Sequence, residues 1–214
     1  MTDWWTCLGA ENQLKALALV GAAIAFIVGL LQYRKAQRWK RAEWVAEEMK
    51  EFFGDPRVRA ALCMIDWGAR RVELYPDRKT VKERFVVVTD DRLAEALEDH
   101  ERRPNGFTED EATMRDVFDH FLDRLERIQS FVEARLVEIS DVAPYLHYWA
   151  VDIMGAQSND PSVDRLVQLR NYIRRYRYAG VDTLLRNIAS GRLPSQRNDD
   201  SANPPMQPPG SAGR

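Results

Sequence analysis

The sequence predicts a mainly α protein: one N-terminal transmembrane helix continuing into a cytoplasmic multi-helix bundle, with a short two-stranded β element as an option. Three observations predict this class. Residues 16–31 (ALALVGAAIAFIVGLL) carry no charge. A cluster of positive charge follows at once. From there to residue 188 apolar side chains recur at spacings of three and four, the repeat of helices that bury one face.

As a helix the uncharged run covers about 24 Å. A bilayer core asks for roughly 20 residues. Extending the run to residues 14–33 closes the gap, because Lys15 can snorkel outward from a helix end and Tyr33 suits an interface. A buried core helix or a secretory signal would also be apolar, but Asp3 and Glu11 replace a basic leader and no A-x-A-like cleavage site follows.

The flanks set the expected orientation. Arg34, Lys35, Arg38, Lys40 and Arg41 follow the span, whereas only Lys15 lies on its N-terminal side. The positive-inside rule then places residues 1–13 outside and the rest in the cytoplasm of a bacterial cell, with the span in the inner membrane. Trp4 and Trp5 would join an outer aromatic belt. Gly21, Ala25 and Gly29, four apart, form a stripe of small residues that suits close helix association in lipid, and so a homodimer.

Charge is segregated along the remainder. Residues 55–160 hold 15 basic and 23 acidic side chains, whereas residues 161–192 hold 7 and 2. Packing of the last cationic helix against the acidic middle explains this most simply. The other reading has Arg165, Arg170, Arg174, Arg175 and Arg177 facing anionic lipid together with the juxtamembrane cluster. A nucleic-acid surface is not expected, since the chain as a whole is not basic and no binding motif is present. Cys7 and Cys63 fall on opposite sides of the membrane in this topology, so Cys7 could only cross-link protomers and Cys63 reads as a buried thiol.

Residues 34–53 read as a juxtamembrane amphipathic helix with Trp39, Ala42, Ala46, Met49 and Phe53 in its stripe and Val45 and Phe52 flanking it. Gly54 stops it. Residues 54–191 form the helical cytoplasmic domain, opening with Asp55-Pro56, an N-cap followed by proline at the first helical position. Val58, Ala61, Leu62 and Ile65 are its first buried face. Residues 70–89 leave two options: a hairpin of residues 72–74 with 85–88, or pairing of residues 86–88 with 136–139. Thr89 caps a helix carrying Leu93, Ala94, Ala96 and Leu97. Thr108 and Glu111 make a capping box for the longest helix, with Met114, Phe118, Phe121, Leu125, Ile128 and Val132 in its stripe and Val117 and Leu122 widening it. Ser140 caps the next, Asp160-Pro161 opens another, and Val181, Leu184, Leu185 and Ile188 face inward from a last short one. Residues 192–214, with five prolines among polar residues, read as a disordered tail.

A search for chemistry returns little. Phosphate-binding glycine loops, calcium loops, a nucleophile elbow and Cys-x-x-Cys are absent from the sequence. Paired Glu-x-x-His motifs of a dimetal bundle are missing too. Asp116, His120 and Asp123 share one helix face and are the only polar constellation with ligand-like spacing. A solvated Asp-His pair is the simpler reading, and no cofactor is implied. Tyr145, Tyr148 and Trp149 also share a face, which predicts core packing, with a partner-binding surface as the alternative.

Asp66-Trp67-Gly68 after an apolar helix, Phe118-x-x-Phe-Leu-x-x-Leu-Glu126 and Pro144-Tyr145-Leu146-x-Tyr148-Trp149 are landmarks by which the chain resembles a group of uncharacterised bacterial proteins with an N-terminal anchor and a helical cytoplasmic domain. The resemblance implies this topology and carries no site. The expected function is a membrane-tethered helical protein-interaction or sensing module without a catalytic centre. The alternatives are a membrane-surface enzyme with a metal-assisted site at Asp116, His120 and Asp123, or an anionic-lipid-binding module.

Overall fold

The computed structural model describes residues 10–155 and 164–191. Trp4, Trp5, Cys7, the Asp160-Pro161 helix start and the tail fall outside the described residues. The chain divides into two compact units, Met1–Ala46 and Glu47–Arg214.

Helix α1 (Ala10–Gly54) is unbroken over 45 residues. Among the described residues it is the one helix long and apolar enough to cross a membrane, with a mean hydropathy of 1.8 in its apolar window. None of that window is buried by the chain; Leu19 and Phe26 are more than 70% exposed. Its C-terminal part meets expectation only in part. Trp39, Ala42 and Ala46 are exposed; Met49 of the stripe and the flanking Val45 and Phe52 are buried as expected, and Glu48 is buried with them. Glu48 is a carboxylate within the buried stripe, held by Arg124 and Arg127, each at 3.3 Å.

The second unit is built around α5 (Glu109–Glu133), which packs on α2 (Pro56–Asp66), α4 (Asp90–Ala96) and α8 (Ala179–Ala189). Helix α8 in turn packs on α6 (Ile139–Gly155) and α7 (Arg165–Arg175). Met114, Phe118, Leu122, Leu125 and Ile128 are buried as the spacing predicts. Both halves of the Thr108–Glu111 capping box form. Asp55 caps α2 through the amides of Arg57 and Val58, with Pro56 in the first turn.

The hairpin option holds for the uncertain stretch. Strands β1 (Ala69–Glu73) and β2 (Phe85–Thr89) pair antiparallel, Val72 opposite Val86. A one-turn helix α3 (Val81–Arg84) lies in their connection. Residues 136–139 form no strand.

One helix start departs from the sequence reading, and two helix stops carry no signal in it. α7 begins after Asp164, whose carboxylate accepts from the amides of Leu166 and Val167. α6 begins at Ile139 without a Ser140 cap; Asp141 instead accepts from the Glu138 amide at 2.9 Å. α5 and α7 end on arginines in the left-handed region, Arg135 (φ 58°) and Arg177 (φ 61°). That conformation normally favours glycine, so no stop signal is visible there in the sequence.

Candidate functional site

The aromatic residues of α6 are not core, which corrects the expected packing. The buried face of α6 is aliphatic: Val142, Ala143, Leu146, Ala150 and Ile153. Small side chains there let the backbone approach α8 closely, and the aromatics turn outward. Tyr148 is 58% exposed and Tyr145 40%. Trp149 lies at the border. Its indole N–H donates to Asp66 Oδ1 at 2.8 Å, and its ring is 5.6 Å from those of Phe53 and Tyr148. Asp152 and Asp66 raise the Tyr148 phenol above its usual range by charge repulsion. The face is therefore aromatic with an acidic surround.

The Asp116, His120 and Asp123 constellation does not assemble. His120 Nε2 is 2.7 Å from Asp55 Oδ2, joining α5 to the N-cap of α2. Burial opposes the Asp55 charge, but hydrogen bonds from His120 and from the Arg57 and Val58 amides outweigh it and hold the carboxyl below its ordinary value. Among the described residues no three His, Cys, Asp or Glu side chains come close enough to hold a metal ion.

Between them lies Asp119, which the sequence reading passed over. Its Oδ1 accepts from the phenols of Tyr172 at 2.6 Å and Tyr178 at 3.0 Å. Burial first, and the Asp119 charge with it, push both phenols above the normal tyrosine range. Nearby, the buried Arg115 donates from Nη1 to the Ala96 and Glu98 carbonyls and from Nη2 to Tyr176 Oη, all at 2.8 Å. Its guanidinium lies over Phe107 and Tyr172, at 4.3 and 4.9 Å from the ring centres. Spacing could have found it: Glu111, Arg115, Phe118, Leu122, Leu125 and Gln129 advance by fours and threes along one face, and all are buried. Glu111 is held below its ordinary value, burial being outweighed by the Thr108 amide and Arg103.

The cationic α7 faces acidic neighbours within the chain. Arg165 binds Asp90 at 2.6 Å and the Ile65 carbonyl at 3.1 Å. Arg175 pairs with Asp99 and Glu101, and Arg174 lies 3.7 Å from Asp182. Arg174 and Arg175, considered for lipid contact, thus have carboxylate neighbours within the chain, and Arg177 takes up a helix-terminating conformation. Arg34, Lys35, Arg38 and Lys40 are exposed on α1 and Arg41 is half-buried. A Cβ at Gly21 or Gly29 would meet nothing within 4 Å.

A separate cleft of about 500 Å³ opens between α2, β1 and α5. Ala60, Val72, Leu74 and Val117 are its buried apolar lining, and Cys63 lies half-buried in its wall. Five arginines and three carboxylates also line it.

The fold and these surfaces define a mainly helical bundle preceded by a helix apolar enough to cross a membrane. No family model, curated protein or solved structure matches the chain.

Proposed function

We propose that this chain is a single-pass, membrane-tethered interaction module of the bacterial inner membrane, whose cytoplasmic helical bundle recognises a protein partner and performs no catalysis. The observation that carries the reading is the apolar stretch of α1, whose large side chains from Leu17 to Leu31 find no cover within the chain. In water that surface would be costly at roughly 25 cal/mol per Å²; in lipid it is matched. The arginine and lysine cluster from Arg34 to Arg41 supports placing the bundle on the cytoplasmic side.

The partner surface in this reading is the outward face of α6. Trp149 is oriented by Asp66, Tyr148 stands beside it, and Asp152 and Asp66 supply negative charge. Aromatic rings in an acidic surround suit a basic segment of a protein, through cation–π contacts and ion pairing. Affinity purification of the full-length chain in mild detergent tests this. A partner retained by the parent and lost from Tyr148→Ala, with thermal stability unchanged, is expected. A chain recovered alone, or a partner equally retained by Tyr148→Ala, contradicts it.

A further inference from the structure

We propose that the cleft between α2, β1 and α5 binds a small phosphorylated ligand with an apolar portion, of about mononucleotide size. The rim carries Arg57, Arg59, Arg70, Arg71 and Arg78 against Glu73, Asp77 and Asp116. The cleft is thus net positive within residues 55–160, where acids outnumber bases by 23 to 15. Such focusing of one sign in a recess raises the local concentration of the opposite ion.

The partners of these arginines sharpen the point. Elsewhere in the bundle arginines meet carboxylates: Arg92 meets Asp110, Arg103 meets Glu111, Arg165 meets Asp90. At the cleft, among the described residues, only Arg78 does, through Glu109. Arg70 and Arg71 lie over aromatic rings, Trp67 at 4.9 Å and Phe85 at 5.5 Å. These ring contacts leave their N–H groups without a carboxylate among the described residues. Arg57 and Arg59 make no side-chain hydrogen bond or ion pair with any described residue. Guanidinium forks match phosphate oxygens bidentately, and several of them together suit a dianion better than a lone carboxylate. Ala60, Val72, Leu74 and Val117, buried residues that line the same cleft, offer apolar contact to the rest of the molecule. The volume falls in the range of small-molecule sites. No residue of α6 lines the cleft, so it is independent of the partner face.

The chain has two cysteines, so Cys7→Ser leaves Cys63 as the sole thiol, placed in the cleft wall to report occupancy. The full-length protein in phosphatidylcholine nanodiscs is titrated with AMP and with pyrophosphate, and compared with nanodiscs containing phosphatidylglycerol, while thiol labelling of Cys63 is timed. The ligand should slow labelling about fivefold or more. Arg59→Ala with Arg71→Ala should shift the protecting concentration by about tenfold, as loss of two charge-assisted contacts requires. Both side chains are exposed, so folding is preserved; Arg57→Gln with Arg70→Gln should act in the same direction, and Arg135→Ala should not. Protection by AMP alone identifies a soluble organophosphate, and protection by phosphatidylglycerol alone a lipid headgroup. Labelling unchanged by every probe, or protection that survives both arginine pairs, overturns the proposal.

Discussion

Two long helices of this chain obey opposite rules. α5, 25 residues, has a face whose every expected core residue up to Ile128 is buried, a capping box at its start and a left-handed arginine after its end. The N-terminal part of α1 has apolar side chains on all sides, covers none of them with protein, and offers no acid–base pattern to solvent. A helix apolar on one stripe is stabilised by its neighbours; one apolar all round needs apolar cover on every side, from protein or from lipid. Composition alone does not separate a core helix from a span; the structure adds that the rest of the chain leaves these side chains uncovered.

The contrast can be broken most severely at the span. Ile24→Arg with Val28→Arg should cost about 6 kcal/mol on insertion, since each charge near a bilayer centre costs about 3 kcal/mol on insertion scales. Membrane recovery should collapse while the bundle keeps its melting behaviour. Phe118→Ala tests the other helix. Removal of a fully buried ring should cost about 3–5 kcal/mol in urea unfolding and leave membrane recovery unchanged. Arg115→Ala should cost about 3 kcal/mol, because it strands the Ala96 and Glu98 carbonyls and empties the space beside Phe107.

Glu111→Gln should cost about 1–2 kcal/mol at neutral pH by weakening the capping box and the Arg103 pair. The folded carboxyl lies below its unfolded value, so its contribution is complete above about pH 4.3 and is lost as pH falls through the folded value. The gap between parent and variant in urea melts should therefore close in acid. The smallest expected effect is a gain: Arg135→Gly should stabilise the bundle by about 0.5–1 kcal/mol by relieving a left-handed side chain.

Helix positions were legible where apolar spacing and caps agree, as at Asp55-Pro56, Thr89 and Thr108. They were illegible where an exception to the rule does the work. Left-handed arginines stop α5 and α7 in place of glycines, Glu48 and Arg115 are polar members of apolar stripes, and the aliphatic face of α6 outcompetes its aromatic one. Three of the sequence landmarks turn out to be tie points. Asp66 accepts from Trp149, and Glu126 Oε1 accepts from the Val181 amide at the start of α8. A Cβ at Gly180 would collide with the Glu126 carboxylate, so that junction admits glycine alone without rearrangement. Of the candidate sites, the aromatic face was visible as composition but not as surface. The arginine cleft was invisible, because Arg59 and Arg71 are brought to one recess only by the packing of β1 beside α2.

Alkaline carbonate extraction of membranes from cells making the unprocessed full-length chain tests the central claim most directly. The account predicts that the protein stays with the lipid pellet and is released only by detergent. Recovery of the intact chain in the aqueous supernatant would contradict it.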